Sequence, residues 1–174
     1  MSTIVIPFRG EDAKQRLPED VRAELARAML ADVRAAAEEV GRTIVAEGRG
    51  QGAAVETALS EVQETPVLVV NADLPAVTPR DVLALLGSIP PNGIAVAAAP
   101  DGTTNALGLA ARGLFESVYG PGSAERFLAL APSRLVEIPN LADDVDALSD
   151  LERLEGRLGA KTRAALETLR FAAR

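Results

Sequence analysis

The stretch Pro66–Pro75 reads PVLVVNADLP, and this short sequence indicates the fold class. Its apolar first half has the length of one strand, and such a continuous run is typical of a strand covered on both faces, as in a parallel sheet. Working outward, short apolar runs alternate with segments of helical period. Strands are predicted over residues 3–7, 43–46, 66–71, 94–99, 105–110 and 135–138, and helices over 18–40, 53–62, 78–86, 123–130 and from 148 onward. This alternation predicts an α/β fold with a mostly parallel sheet, and the length predicts a single domain over residues 1–174.

The composition excludes several classes of site. Cysteine and histidine are both absent, so the chain has no disulfide, no thiol nucleophile, no Ser-His-Asp triad and no histidine-bound zinc. A bound metal must therefore take oxygen ligands, which suits Mg²⁺. The net charge of −7 argues against nucleic-acid binding. Because neither a signal peptide nor an apolar run of membrane-spanning length is evident, the expected location is the cytoplasm, away from any membrane.

Two acidic segments fall at predicted strand ends, where ligands bind in open α/β sheets. Asp73 follows the buried strand, and Asp146 ends the acidic segment Asp143–Asp146 that follows the last strand. Two carboxylates from distant strand ends could hold one Mg²⁺, which keeps water and phosphate as its other ligands. The structural alternatives are a turn aspartate at Asp73 and an acidic helix N-terminus at 143–146.

A basic loop follows the first strand. The segment runs from Arg9 to Arg16 and contains Lys14, one of only two lysines in the chain. Such a loop could wrap a triphosphate, with Lys14 as a point charge and Arg16 as a fork. An ordinary solvated loop is the alternative.

A glycine-containing segment precedes the second predicted helix. Gly48-x-Gly50-x-x-Ala53 formally matches a dinucleotide fingerprint, and it also contains Gly52. Its amides could face any anion or base, because a glycine-rich entry to a helix is a general anion-binding arrangement.

A second such segment, Tyr119–Ser123, reads YGPGS and precedes a helix with Arg126 in its first turn. Ser123 is predicted to cap that helix, and free amides together with Arg126 would receive a carboxylate or phosphate. Thr104, which follows the turn at Gly102, offers a further hydroxyl. A plain turn and N-cap is the alternative.

Taken together, these segments resemble the CofC/FbiD family of guanylyltransferases, within the MobA-like nucleotidyltransferases. The resemblance runs over nearly the whole chain. Its most specific parts are Asp101–Leu107 (DGTTNAL), Tyr119–Arg126 (YGPGSAER) and Asp144–Asp146 (DVD), and weaker parts lie at residues 7–17 and 72–75. The resemblance implies a three-layer αβα Rossmann-like nucleotidyltransferase fold.

The resemblance also implies a reaction. GMP would pass from GTP to the phosphate of a three-carbon phospho-acid, and pyrophosphate would leave, in the biosynthesis of the deazaflavin coenzyme factor 420. The acceptors in the family are phosphoenolpyruvate, 2-phospho-L-lactate and 3-phosphoglycerate. Asp73 and Asp146 would bind Mg²⁺, with Asp144 close by. The predicted site then comprises catalytic Lys14, Arg16 and Asp73, nucleotide-binding Arg9, Lys14, Gly50 and Gly52, and acceptor-binding Thr104, Gly120, Ser123 and Arg126.

The chain departs from the family pattern at four places. Phe8-Arg9 stands where the family usually has a lysine soon after the first-strand proline, and residues 144–151 read DVDALSDL where the family commonly reads DVDTPEDL. Phe127 stands where the family usually has histidine, and the region from Val40 to Gly52 is shorter by about one βα unit. Because this shortening falls where the nucleobase should be recognised, other base or acceptor specificities stay open. A non-catalytic nucleotide-binding relative and dinucleotide binding at Gly48–Ala53 stay open too. The C-terminal helix Lys161–Ala173 either forms a homodimer surface or packs on the sheet.

Overall fold

A computed structural model of the chain describes residues 2–10, 16–48 and 50–172, with side chains up to residue 170. The strands are β1 Thr3–Phe8, β2 Arg42–Glu47, β3 Val67–Val70, β4 Ile94–Ala98, β5 Thr104–Leu109 and β6 Ser133–Leu135. The helices are α1 Glu19–Glu38, α2 Gln51–Ser60, α3 Pro79–Gly87, α4 Ser123–Leu128, α5 Pro139–Ala142, α6 Leu148–Arg153 and α7 Ala160–Ala172. Within the described residues, none of these helices is both long and apolar enough to cross a bilayer.

The six strands form one sheet in the order β2-β1-β3-β5-β4-β6. β1 lies between β2 and β3 and is parallel to both, and β6 is parallel to β4. Only β5, of the described strands, runs against its neighbours, since it is antiparallel to both β3 and β4. The predicted α/β fold with a mostly parallel sheet is therefore confirmed.

Side chains alternate across the sheet and build a core on each face. On β1, Ile4 and Ile6 belong to one core and Val5 to the other. On β3, Val67–Val70 is buried at all four positions, as expected for the apolar run. The first core lies under α1 and α3, and the second lies under α2 and α4. Three layers result, and they are filled mainly by Ala, Val, Leu and Ile.

Two predicted boundaries are wrong. The last strand was predicted over residues 135–138, but β6 occupies Ser133–Leu135 because those residues pair with Ile94–Val96 of β4. Helix α2 was predicted to begin at Ala53, but it begins at Gln51 with Gly50 as N-cap. The strand that precedes this glycine segment, β2, lies at the edge of the sheet.

A third apolar cluster joins the C-terminal helices to α1. Leu25 and Met29 of α1 pack with Leu151 of α6 and Leu166 of α7. Of the two roles predicted for the C-terminal helix, packing within the monomer is the one seen, but its partner is α1 rather than the sheet. A homodimer stays a prediction.

The α1–α7 contact has a buried polar bond at its centre. Asp32 of α1 accepts hydrogen bonds from the backbone N–H groups of Lys161 and Thr162, at 3.0 and 2.8 Å. These are N–H groups of the first turn of α7, which have no partner inside that helix. Gly159 makes room for the contact, since a Cβ there would lie 2.2 Å from the Asp32 carboxyl carbon. A side chain 130 positions away therefore caps α7.

We expect Asp32→Ala to lower the free energy of unfolding by about 2–3 kcal/mol, because two helix N–H groups at a buried contact lose their acceptor. Urea denaturation of both proteins measures the difference. Glu24→Ala, at an exposed position of the same helix, is the matched control and should change stability by less than about 0.5 kcal/mol. Equal losses in the two variants would contradict the cap.

Candidate active site

A cleft of about 180 Å³ opens beyond the carboxyl ends of β1 and β3. Because these strands are parallel neighbours, the segments that follow them meet at one edge of the sheet. The lining includes Arg9 after β1, Asp73 after β3, Gln51 at the start of α2, and Asp146 from the acidic segment. The structure thus brings Arg9, Asp73 and Asp146 of the predicted site together. Lys14, the predicted phosphate-binding lysine, lies outside the described residues.

Backbone and amide hydrogen bonds hold the acidic segment against the β3 end. The Val145 N–H donates to the Asp73 carbonyl at 3.0 Å. The Asn105 side-chain amide donates to the Ala142 carbonyl at 3.2 Å and to Asp144 Oδ1 at 3.4 Å. These bonds fix the position of the segment that carries Asp146. Sequence reasoning missed Asn105, although it lies within the DGTTNAL motif.

Asp146 is also positioned by helix α6, which follows it, and it lies close to the side chain of Arg16. Asp150 accepts from the N–H groups of Asp146 and Ala147 at 3.0 and 2.9 Å. Burial raises the pKa of Asp150, but these two N–H groups together with Arg153 outweigh burial and lower that pKa. Arg16 Nη1 lies 3.8 Å from Asp146 Oδ2. Arg16 is therefore next to the cleft, although 78% of its side chain is exposed. Contact of Arg16 with phosphates stays a prediction.

Asp143, the first acid of the same segment, has a structural role. Its two oxygens accept from Arg153 and Arg157, each at 2.6 Å. Burial would raise the pKa of Asp143, but the hydrogen bonds and charges of the two arginines outweigh burial and hold that pKa below its usual value. Both oxygens are thereby engaged away from the cleft.

The cleft residues fit a hard divalent cation held by few protein ligands. Asp73 and Asp146 come from separate segments and line the same cleft, and Asp73 Oδ1 is buried there. Within the described ranges, no cluster of three or more His, Cys, Asp or Glu residues is arranged to bind a metal ion. Two carboxylates match Mg²⁺ in nucleotide enzymes, because it takes one or two protein carboxylates and fills its other positions with phosphates and water.

Two predicted acceptor residues, Thr104 and Ser123, are paired with each other. Their hydroxyl oxygens lie 3.0 Å apart, and the two residues are 3% and 0% exposed. The predicted cap at Ser123 is wrong, because the N-cap of α4 is Gly122 in the left-handed conformation at φ +69°. Neither residue lines the cleft. Their hydroxyls tie the start of β5 to the start of α4, so a role in acceptor binding stays a prediction.

Arg126 braces the loop before α4. Its guanidinium donates to the backbone carbonyls of Val118, Tyr119 and Pro121 at 2.7–3.3 Å. Gly120, at φ +110°, lies in this loop with its missing side chain facing the guanidinium. The Arg126 guanidinium thus holds its own loop, and binding of a carboxylate or phosphate by Arg126 itself stays a prediction. The guanidinium has five N–H donors, and it makes four hydrogen bonds to carbonyls of the loop. Arg126 therefore stabilises the conformation of the YGPGS segment.

We expect Arg126→Lys to loosen this loop, because one ammonium group cannot reproduce a planar fork that reaches three carbonyls. Hydrogen exchange should speed up about tenfold or more at the N–H of Ser123, which donates to Gly120 O within the loop. The control is Arg134→Lys at an exposed position of β6. Unchanged exchange in Arg126→Lys would show that the loop holds itself.

The two glycines predicted to bind nucleotide occupy the start of α2. Gly50 is the N-cap, directly before the cleft residue Gln51. Gly52 is buried, and a Cβ there would lie 1.6 Å from Ser117 Oγ. Close packing against Ser117 therefore explains the absence of a side chain at Gly52. Contact of these glycines with nucleotide stays a prediction.

A pair of amide side chains that sequence reasoning missed completes the cleft. Gln51 Nε2 donates to Asn71 Oδ1 at 2.6 Å, and Asn71 Nδ2 donates to the Thr104 carbonyl at 3.1 Å. Both amide residues line the cleft. The available signal was the position of Asn71, a polar residue directly after the buried apolar run.

Comparison with known proteins gives the family. Residues 16–138 match the model of the MobA-like NTP transferase domain. The chain belongs to this family. The MobA-like match covers β2 to β6 and includes Asp73 of the cleft, while Arg9 and Asp146 lie outside the matched residues. It agrees with the resemblance drawn from the sequence.

Curated relatives of this MobA-like chain carry one enzyme name. A phosphoenolpyruvate guanylyltransferase of Sphaerobacter thermophilus is 38% identical over 96 residues, covering 52% of this chain and 46% of that protein. A protein of the same name from Rubrobacter xylanophilus is 37% identical over 128 residues, covering 67% and 62%. The chain thus spans about half to three fifths of the length of these relatives. The resemblance to the CofC/FbiD guanylyltransferases is confirmed.

Solved structures confirm the MobA-like fold. A Desulfovibrio desulfuricans protein, provisionally described as a nucleotide-diphospho-sugar transferase, superposes with a TM-score of 0.72 at 17% identity, covering 96% of this chain and 94% of that one. A Mycobacterium tuberculosis protein solved in complex with manganese gives 0.56 at 23% identity, covering 88% and 96%. The predicted nucleotidyltransferase fold is correct.

Proposed function

We propose that this chain is a guanylyltransferase that transfers GMP from GTP to the phosphate of a three-carbon phospho-acid, with release of pyrophosphate. The observation that carries the proposal is the placement of Asp73 and Asp146 in one cleft beyond the parallel strand ends. Arg9 and Arg16 supply positive charge beside them. Phosphoenolpyruvate is the first candidate acceptor because the relatives are named for it. 2-Phospho-L-lactate is the second, and both fit the biosynthesis of coenzyme factor 420.

The proposed chemistry suits a chain without histidine or cysteine. An oxygen of the acceptor phosphate attacks the α-phosphorus of GTP, and the bond from that phosphorus to the oxygen bridging to the β-phosphate breaks. The acceptor phosphate is already ionised at neutral pH, so no general base has to remove a proton. What the protein must supply is alignment and neutralisation of charge at the α-phosphate.

Each cleft residue then has a defined task. Asp73 and Asp146 would hold Mg²⁺, which when bound neutralises negative charge on the phosphate oxygens. Arg9 lies exposed at the cleft, where it can pair with a phosphate of the nucleotide. Arg16, beside Asp146, and Lys14 are proposed for the leaving pyrophosphate. The loop braced by Arg126 is proposed to contact the acceptor through its backbone.

Pyrophosphate release tests the proposal. The four nucleoside triphosphates are each combined with phosphoenolpyruvate, 2-phospho-L-lactate or 3-phosphoglycerate, with Mg²⁺ or Mn²⁺ present. Release with GTP and one acceptor would support the reaction and name the acceptor. Release with another triphosphate would reassign the base. No release from protein shown to be folded by circular dichroism would overturn the proposal in favour of a non-catalytic nucleotide-binding relative. EDTA-treated protein is the metal control.

A further inference from the structure

We propose that Gln51 selects guanine over adenine, and that the backbone carbonyl of Thr104 sets its orientation through Asn71. The inference rests on the proposed function for the identity of the nucleotide. It assigns base selection to a chain of two hydrogen bonds at the cleft, Gln51 to Asn71 and Asn71 to Thr104.

The donor and the acceptor in each of these two hydrogen bonds follow from the Thr104 carbonyl. A backbone carbonyl only accepts hydrogen bonds, so the Asn71 group at 3.1 Å from Thr104 O must be its NH₂. The other end of the Asn71 amide, Oδ1, is then an acceptor. Consequently the Gln51 atom at 2.6 Å from it must be the donor Nε2. The oxygen and the nitrogen of an amide side chain are often exchanged by mistake, but these two bonds fix which atom is which at both residues.

The side-chain oxygen of Gln51, which accepts hydrogen bonds, remains available for a ligand. With Nε2 engaged by Asn71, the remaining polar atom of the side chain is Oε1, and among the described residues no group donates a hydrogen bond to it. Gln51 is half-buried and lines the cleft with Asp73 and Arg9. A half-buried acceptor of fixed orientation is therefore available beside the proposed phosphate site.

A fixed acceptor discriminates between purines by their hydrogen-bonding edges. Guanine presents two donors on one edge, N1–H and the 2-amino group. Adenine presents an unprotonated N1 there, which is an acceptor, and has no group at C2. Adenine would therefore leave Gln51 Oε1 without a donor and place two acceptors together. A site that hydrogen-bonds its substrate rejects an analogue lacking the matching group more strongly than an apolar pocket does.

Gln51→Met tests the assignment, because methionine keeps the length of the side chain and removes both polar atoms. We expect kcat/KM for GTP to fall about tenfold or more, and the value for ATP to stay within about twofold, so that the GTP/ATP ratio narrows. Asn71→Ala should narrow the ratio chiefly through the KM for GTP, since Asn71 acts by positioning Gln51. Glu56→Gln, exposed on the same helix, should leave the ratio unchanged.

A binding measurement separates this inference from the proposed function. Fluorescent derivatives of GTP and ATP are titrated with Mg²⁺ into the wild-type chain and into Gln51→Met, without acceptor. A wild-type preference for GTP that Gln51→Met reduces would support the inference, even if pyrophosphate is never released. A wild-type chain without preference, or a Gln51→Met chain with the preference intact, would overturn it, even if GTP is turned over.

Discussion

Asp73→Asn is expected to lower the rate of guanylyl transfer roughly 10²–10³-fold, the range found when one electrostatic stabiliser of a transition state is removed. Asparagine keeps the shape of the side chain and removes its negative charge. The Asp73 backbone carbonyl still accepts from Val145 N–H, so the acidic segment stays in place. The loss should therefore fall on metal affinity and turnover rather than on the fold.

Three measurements separate a loss of catalytic rate in Asp73→Asn from a loss of metal affinity or of stability. Pyrophosphate release gives the rate, titration with Mn²⁺ gives the metal affinity, and thermal unfolding gives the stability. Asp146→Asn should show a similar loss of activity, since both carboxylates line the cleft. The matched control is Asp20→Asn, which makes the same charge change at an exposed position of α1. Asp73→Asn with nearly wild-type activity would remove Asp73 from the metal site.

Phe127→Ala is expected to lower the free energy of unfolding by about 3–5 kcal/mol. Phe127 is fully buried, and its ring centroid lies 5.1 Å from that of Tyr119 and 6.0 Å from that of Phe115. These three rings join the core under α4 to the YGPGS loop. The loss would be a large part of the roughly 5–15 kcal/mol that stabilises a domain of this kind.

Urea denaturation followed by circular dichroism measures this loss. Phe127→Leu is the control, because leucine keeps much of the apolar volume and should cost less than half as much. A loss below about 1 kcal/mol in Phe127→Ala would contradict the packing. Phe127 stands where the family named from the sequence resemblance usually has histidine. An apolar aromatic side chain needs no hydrogen-bond partner at this position, whereas a buried imidazole does.

Much of the local structure was predictable from short stretches of sequence. PVLVVN was expected to form a buried strand, and β3 is buried at all four of its positions. Thr78 and Pro79 were expected to open a helix, and Thr78 caps α3 through a reciprocal bond with Asp81. Strand ends in an α/β order also predicted where the cleft would lie, and Arg9, Asp73 and Asp146 all line it. These features depend on neighbours a few residues apart or on one general rule of sheet topology.

Other features involve partners that are distant along the chain, and only the tertiary structure decides them. Ser123 was expected to cap a helix, but its hydroxyl meets that of Thr104, 19 residues away. The hydrogen bonds of the Arg126 guanidinium to the carbonyls of Val118 and Pro121 could not be foreseen from the sequence, because the fold brings these carbonyls to it. The direction of the Gln51–Asn71 hydrogen bond depends on the Thr104 carbonyl, which β5 brings to Asn71.

The sequence by itself therefore determined most of the strands and helices, the sheet class and the edge at which the acidic and basic residues gather. The tertiary structure decided which of those residues face the cleft and which bind each other. The physical reason is that periodicity and capping act between near neighbours, whereas a polar side chain is satisfied by whichever donor or acceptor the fold brings within about 3 Å.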